Sequence, residues 1–383
     1  VTTTAPQGFR AAGVAAGLKS SGDPDVALVV NDGPDDVAAA VFTTNRFPAA
    51  PVLWSRQVLG DGRARAVVLN SGGANACTGP EGFGDTHATA EHVAQTLGLG
   101  AIDVAVASTG LIGVRLPMEK LTAGVTDAAA QLSTDGGPAA ARAIMTTDSV
   151  PKTTVQTGEG WTVGGMAKGA GMLAPSLATM LVVLTTDAVV TADVLAPALR
   201  HATEHSFERV DSDGCLSTND TVLVLANGAS GVTPTAEELG AALDAACLDL
   251  AMQLLADAEG STKDIAIEVR NAASVADALT AARACARNNL LKTALFGNDP
   301  NWGRVLAAIG TTDAAFEADQ VDVTINGVTV CRGGAIGDSR DGVDLTGRSI
   351  SIDVDLRAGS ERATVWTNDL SIAYVHENSA YST

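Results

Sequence analysis

The sequence predicts a mixed α/β or α+β chain, and three observations carry that expectation. The apolar pattern switches repeatedly between period two and helical spacing along all 383 residues. Asn326-Gly327 stands between two alternating runs, a strong local signal for an antiparallel hairpin. Long amphipathic stretches in the second half begin with capping residues. Hairpins mixed with long helices need sheet and helix layers around a shared core. The length allows two domains or one large one.

In chain order, strands are expected over 66–69, 102–107, 180–184, 221–225, 265–269, 321–325, 328–331 and 352–356. The segment RAGSERATV after Leu356 reads as a turn into one more strand. Helices are expected over 86–97 and 121–132 in the first half. A third, over 193–205, contains Pro197, which suits the first turn. The next opens at Pro234-Thr235, where Glu238 completes a capping box and Leu239, Leu243, Cys247, Leu250 and Leu254 share one stripe. Ser274 and Asp277 start another that runs to Arg287. No repeat or low-complexity linker is present, and the only division suggested by composition is the glycine-rich stretch 158–171.

Composition excludes several classes of function. Hydrophobic residues at 46% against 18% charged describe a folded core and not a disordered chain. Aromatics are only 3% and glycines number 40, so small and aliphatic side chains must fill that core. A net charge of −20 with scattered Lys and Arg repels phosphate backbones and argues against nucleic-acid binding. The five cysteines are far apart with no C-x-x-C pair, against both a disulfide framework and a zinc knuckle. No run near 18 apolar residues marks a membrane span, and the first 21 residues lack a secretory pattern, so a cytoplasmic chain is expected.

The segment GGMAKGAGMLAPSLATMLVVLTT, residues 164–186, carries the most chemistry. Its glycines permit close backbone approaches, and Pro175 precedes Ser176-Leu177-Ala178-Thr179, after which an apolar strand begins. A threonine there, preceded by small Ala178, suits a self-cleaving precursor whose hydroxyl attacks the carbonyl of residue 178. The product is a threonine with a free α-amine, whose reference pKa of roughly 7.7 to 8.0 lets it act as base for its own hydroxyl. The plainer reading is that Thr179 starts a β-strand, which threonine does readily.

Lys168 among its glycines lacks the residue order of a P-loop. Ser108-Thr109-Gly110 follows an alternating strand and is either an oxyanion-binding turn or a simple strand end. His201 and His205, four residues apart, lack the H-E-x-x-H order and read as surface histidines. Asp211-Ser212-Asp213-Gly214 reads as a turn. Residues 297–304 pack turn formers around Trp302, and the last ten residues hold both tyrosines, which suggests a docked tail.

These motifs together resemble the ornithine acetyltransferase family. KGAGMLAPSLATML resembles its self-processing segment, in which the nucleophile is the threonine directly after the alanine. VVLNSGGANACTG (67–79), RAIMTTDSVPK (142–152), STNDTV (217–222), LLKTALFGNDPNWGRVLAAIG (290–310) and the terminal WTNDLSIAYVHENSAYST resemble further family segments in the expected order. Departures are Gly73 where the family pattern has asparagine, Asn368 in place of a cysteine, and the form DSDGCLSTND.

The resemblance implies an αββα sandwich, shared with self-processing aminopeptidases, plus a smaller C-terminal α/β domain. It implies acetyl transfer from N2-acetyl-L-ornithine to L-glutamate, and some family members also acetylate glutamate from acetyl-CoA. It assigns Thr179 as nucleophile, Thr109 and Gly110 as the oxyanion pair, and Ala178-Thr179 as the cleavage site. Substrate contacts fall on Lys168, Glu259, Asn378 and Thr383, with one more in Thr146-Thr147, for which Thr146 is preferred. No cofactor and no metal are implied. Cleavage leaves an α fragment of residues 1–178 and a β fragment of 179–383, 383 − 178 = 205 residues, forming one catalytic unit assembled as α2β2 or larger. The rival readings are an amidohydrolase or aminopeptidase on the same core, with water as acceptor, and a non-catalytic binding protein that has lost self-cleavage.

Overall fold

The computed structural model describes residues 2–172 and 180–380, so Ala178, Thr179 and Thr383 lie outside the described residues. The first half runs β1 (Phe9–Val14), β2 (Val26–Asn31), β3 (Val37–Phe42), α1 (Ala50–Val58), β4 (Ala66–Ser71) and α2 (Gly79–Leu97). It continues through β5 (Val104–Thr109), α3 (Met118–Ala130), α4 (Gly137–Ala143), β6 (Lys152–Thr157) and β7 (Thr162–Lys168). Next come β8 (Leu181–Thr186), α5 (Ala192–Glu204), β9 (Thr221–Ala226), α6 (Ala236–Ala256), β10 (Asp264–Ala272) and α7 (Val275–Ala286). The remainder is α8 (Asn289–Phe296), α9 (Trp302–Ile309), β11 (Asp322–Ile325), β12 (Val328–Arg332), β13 (Ala335–Ile336), β14 (Ser349–Asp355), β15 (Glu361–Asn368) and α10 (Ile372–Ala380).

Two sheets form the larger body. One has the order β1-β2-β4-β5 and the other β3-β9-β8-β7-β6. Every residue of β8 is buried because its two faces serve two cores. Leu181 and Val183 point into the core shared with the first sheet, while Val182 and Leu184 point into the core beneath α5 and α6. The helices α2 and α3 cover the far side of the first sheet, which completes a helix–sheet–sheet–helix stack. A third sheet, β13-β12-β11-β14-β10-β15, has its own core beneath α7 and α9 and forms the smaller C-terminal unit.

The outer helix α6 follows from its sequence. Glu238 N–H donates to Thr235 Oγ1 at 3.2 Å, and Glu238 Oε2 accepts the Thr235 N–H at 2.8 Å, so the capping box is closed. Such a cap is worth about 1 kcal/mol. Leu239, Leu243, Cys247, Leu250 and Leu254 are fully buried against the second sheet, at roughly 1.5–3 kcal/mol for each leucine. By length and composition α6 could cross a membrane, but its apolar stripe is part of this core.

Four expectations need correction. The stretch 158–171 is not a division between domains: it contains β7, paired with β6 and β8 inside the second sheet. Its glycines serve packing, since a Cβ on Gly165 would lie 2.6 Å from Leu184 Cδ2. The strand expected over 102–107 is Val104–Thr109, because Ala101–Asp103 forms a 3-10 turn closed by Gly100 N–H donating to Asp103 Oδ2 at 2.9 Å. The helix expected from residue 86 begins at Gly79, with Pro80 in its first turn and Gly82 packed against Thr78 and Asn75. Pro197 is not in the first turn of α5, which starts at Ala192 and makes it the sixth helical residue.

Candidate active site

The ends of β5 and β7 meet the loops that follow α4 and α6 at one cleft of about 120 Å³. Thr109, Gly110, Thr146, Lys168, Glu259 and Asn378 all line it. These six lie on five separate stretches of sequence, so only the fold brings them together. Met172 and Met180 bound the segment that holds Thr179, and β8 starts immediately after it.

The β5 end is held by a hydrogen-bond mesh. Ser108 Oγ donates to Asn70 Oδ1 at 2.6 Å, and Asn70 Nδ2 donates to Gly73 O at 3.0 Å. Asn219 Nδ2 donates to Ser108 O at 2.8 Å and to Ala74 O at 2.6 Å, tying the STND segment to the same turn. Gly73 N–H donates to Thr109 O at 3.0 Å. Gly110 has a φ of +131°, and any Cβ there would collide with Gly73 N, so glycine is required. Ser108 is thus committed to the scaffold, while Thr109 presents its hydroxyl to the cleft, 3.4 Å from Lys168 Nζ.

Lys168 is the last residue of β7 and is 2% exposed. Burial lowers its pKa below the usual lysine range, opposed by the charge of Asp148, with Nζ–Oδ2 at 3.9 Å. Asp148 Oδ1 also accepts from Lys152 Nζ at 2.7 Å and Gly169 N–H at 2.6 Å. Burial alone would raise the Asp148 pKa, but the two ammonium groups and that N–H outweigh it and hold the carboxyl down at about 2. Lys152 Nζ reaches on to Asp257 Oδ2 at 2.5 Å. The cleft therefore has an ionised, fully engaged carboxylate behind its lysine.

Glu259 forms the opposite wall. Its N–H donates to Ala170 O at 2.9 Å, and its Oε1 accepts from Thr147 Oγ1 at 2.7 Å. Thr146 and Thr147 both line the cleft, yet they are used differently. Thr146 N–H donates to Asp148 Oδ2 at 3.0 Å, whereas the Thr147 hydroxyl is spent on Glu259. On its far side Glu259 borders a second cleft of about 140 Å³, lined also by Lys292, Arg287 and Tyr374. Burial, with Asp213 and Glu259 nearby, pushes the Tyr374 hydroxyl up to about 12.

The C-terminal helix α10 docks on the Glu259–Gly260 turn: Ser371 Oγ donates to Gly260 O at 2.5 Å, and Tyr374 N–H donates to Ser371 Oγ at 2.9 Å. Gly260 allows this contact, since a Cβ there would strike the Tyr374 backbone. Asn378 on this helix reaches the cleft. The tail is docked through this turn and Tyr374, although α10 itself has no fully buried residue.

Several residues that matter were not singled out from sequence. Asp148 sits inside the motif RAIMTTDSVPK, but nothing local distinguishes it as the partner of Lys168, and Thr147, the alternative to Thr146, is not marked by sequence as the partner of Glu259. Asp220, directly before β9, is fully buried, and its Oδ1 accepts the Met180 N–H at 3.1 Å. Burial raises its pKa well above the carboxylate range, against the Met180 N–H and Ser217 hydroxyl, which lower it. His201 lies on α5 and His205 caps its C-terminal end, both exposed and neither lining the cleft, and His201 Nε2 is 3.6 Å from Asp244 Oδ2. Residues 211–214 form the predicted turn, held by Arg287 Nε donating to Asp211 Oδ2 at 2.7 Å.

Comparison with known proteins agrees with the fold's reach over the whole sequence. The model of the ArgJ family matches residues 10–383. The arginine biosynthesis bifunctional protein ArgJ of Streptomyces avermitilis is 65% identical over 382 residues, 100% of both chains. Its counterpart from Mycobacterium leprae is 59% identical over 387 residues, covering 99% of this chain and 95% of that one. A solved ornithine acetyltransferase from Mycobacterium tuberculosis, complexed with ornithine, is 64% identical over 46% of this chain and 95% of its own, with a TM-score of 0.45. With a family model spanning nearly the full length and relatives this similar from end to end, the chain belongs to the ArgJ family.

Proposed function

We propose that this enzyme of arginine biosynthesis transfers the acetyl group of N2-acetyl-L-ornithine to L-glutamate through an acetyl ester on Thr179. The observation that carries the reading is the cleft itself. It joins a hydroxyl and a glycine turn at the end of β5, a buried lysine at the end of β7 and a carboxylate wall, and Met172, which also lines it, borders in sequence the segment that holds Thr179.

In this reading the chain first cuts itself between Ala178 and Thr179, giving the 1–178 and 179–383 fragments. Thr179 Oγ then attacks the acetyl carbonyl while its α-amine takes the proton. Thr109 Oγ1 and Gly110 N–H receive the developing oxyanion. Ornithine departs as the amine, and the α-amine of glutamate attacks the ester to release N-acetyl-L-glutamate. Lys168 pairs with the substrate α-carboxylate, and Glu259 with the distal ammonium of ornithine. Thr146, Asn378 and Thr383 complete the contacts. The two-faced burial of β8 supports lasting association of the fragments, because separating them would expose both cores. Assembly as α2β2 or larger, a cytoplasmic setting and use of acetyl-CoA as a second donor belong to the same reading.

The test is the denatured intact mass before and after mixing with N2-acetyl-L-ornithine. Two fragments divided at Ala178-Thr179, with the second gaining about 42 Da as its threonine is acylated, are expected. Glutamate should then discharge the added mass as N-acetylglutamate. Discharge by water alone, with no effect of glutamate, would make the enzyme a hydrolase; an uncleaved chain that never gains mass would overturn the reading.

A further inference from the structure

Lys292 and Arg287 line the second cleft, of about 140 Å³, and the transfer mechanism above uses neither. Lys292 is 5% exposed, and its ammonium carries three N–H groups. Nζ donates to Ser212 O and, at 3.3 Å, to Thr367 Oγ1, which leaves one N–H without an acceptor among the described residues. Arg287 spends Nε on Asp211 Oδ2 at 2.7 Å, while its two terminal nitrogens have no such partner. The Tyr374 hydroxyl, on the same cleft, has none either, and burial keeps its proton in place. A buried donor is nearly always paired, so the spare Lys292 N–H, with two more donors lining the same cavity, marks a place for a bound anion.

The acidic lining narrows the class. Glu259, Asp213 and Asp369 border the same cavity, and Asp213 and Asp369 are charged neighbours of Lys292. Three carboxylates against two cations repel a bare phosphate or sulfate, but complement a ligand that joins a carboxylate to an ammonium. Size points the same way: a cavity of about 150 Å³ holds a benzene-sized molecule, and the head group of an amino acid is no larger. We propose that the second cleft is a binding site for a free α-amino acid, with its carboxylate on Lys292, Arg287 and Tyr374 and its ammonium on Glu259 and Asp213.

Two contacts join this cleft to the catalytic one. Glu259 borders both, and Asp213 Oδ2 accepts, at 2.7 Å, the N–H of Met172, which lines the catalytic cleft. An ammonium that engages Glu259 from the second cleft competes with the distal ammonium of the donor. The bound amino acid therefore raises KM for N2-acetyl-L-ornithine. This consequence rests on the transfer reading, in which Glu259 holds that ammonium; the binding itself does not. Coupling between two sites is reciprocal, so saturating donor weakens the amino acid by the same factor.

The test is isothermal titration calorimetry of the purified enzyme with L-alanine and with L-lactate, which replaces the ammonium by a hydroxyl. One saturable site for L-alanine is expected, with L-lactate at least about tenfold weaker. Tyr374→Phe and Arg287→Gln should each weaken L-alanine by about tenfold, the scale of one charge-assisted hydrogen bond, while Lys168→Arg leaves it unchanged. Tyr374→Phe keeps the ring and loses only the hydroxyl, so it reads the site even if the arginine variant, deprived of its Asp211 pair, does not fold. No binding of L-alanine, equal binding of L-lactate, or a loss in Lys168→Arg with none in Tyr374→Phe overturns the inference. In steady-state kinetics L-alanine should raise KM for N2-acetyl-L-ornithine in the wild type and much less in Tyr374→Phe. An equal rise in both places L-alanine in the catalytic cleft and overturns the inference; no rise overturns the coupling. An enzyme that binds L-alanine in this way but transfers no acetyl group would overturn the transfer reading and leave the site standing.

Discussion

The hydroxyl of Thr147 donates to Oε1 of Glu259 at 2.7 Å, and this bond sets which way the cleft's acidic wall faces. Opposite it, a Cβ on Gly171 would lie 2.5 Å from Oε2 of the same carboxylate. A hydroxyl on one side and an empty glycine face on the other hold the carboxylate in one position. Replacing Thr147 with valine removes the donor at nearly constant shape. The expected outcome is a fall of about tenfold in kcat/KM for N2-acetyl-L-ornithine, equal to roughly 1.4 kcal/mol, the scale of a hydrogen bond to a charged group. N-acetylnorleucine, which lacks the distal ammonium, should lose little. Steady-state kinetics with both donors check this, and equal losses would show that Thr147 does not act through Glu259.

Gly171→Ala approaches the same carboxylate from the other side. The added methyl meets the far end of a flexible side chain, so the fold should persist with a stability change below about 1 kcal/mol. Glu259 must swing away, and preference for the cationic donor should fall as it does in Thr147→Val. If both substitutions act only by moving Glu259, the double variant should lose no more than the worse single one. Additive losses would assign the glycine another role.

Asp148 links stability to acid. Its folded pKa of about 2 lies below the ordinary 3.8, so ionisation favours the folded state. That contribution, roughly 2 kcal/mol, is present above the unfolded value and is lost as pH falls through about 2. Asp148→Asn leaves Lys168 and Lys152 without the shared carboxylate and should destabilise the enzyme by about 3–5 kcal/mol at neutral pH. Its urea midpoint should also change less between pH 5 and pH 2 than that of the wild type. A parallel acid response would remove Asp148 as the source.

Lys168 gives the opposite limb. Burial lowers its pKa, so the ammonium that meets a substrate carboxylate is lost as pH rises through that depressed value. An alkaline fall in kcat/KM, expressed mainly in KM, is expected before the ordinary lysine range is reached. Lys168→Arg, which stays charged, should bind more weakly throughout but abolish that limb. Persistence of the same alkaline fall in the arginine variant would place it on another group.

How much of this was legible in sequence depended on whether a signal was local. The capping box at Thr235 and Glu238 and the stripe below it marked α6, and Asn326-Gly327 marked the turn between β11 and β12. By contrast β2, VALVVN, is buried on both faces and has no alternation to betray it, while β7 was hidden by glycines that are there for packing. Thr109 and Lys168 stood out locally as candidates with open alternatives, but their roles, and Glu259 altogether, came from family resemblance, since nothing in their spacing reveals that three chain segments meet. Asp148 and Asp220 were missed for a related reason. A buried carboxylate is conspicuous only once its surroundings are known.

Asn368 meets the 211–214 turn in space: Ser212 Oγ donates to Asn368 Oδ1 at 2.6 Å. Asn368 Nδ2 in turn donates to Leu255 O and Lys263 O, both at 3.0 Å, so one side chain ties the end of α6, the strand entrance of β10 and the 211–214 turn. Both residues are buried, and removing either leaves the other's polar atom unpaired. Asn368→Ala should therefore cost about 2–4 kcal/mol, more than Ser212→Ala, because two backbone carbonyls lose their donor as well. In a double-mutant cycle read by urea denaturation, the pair should couple by about 1–2 kcal/mol. Coupling near zero would mean that Asn368 is held by its backbone contacts alone. A clear coupling would show that Ser212 and Asn368 each supply the partner that the other's burial demands.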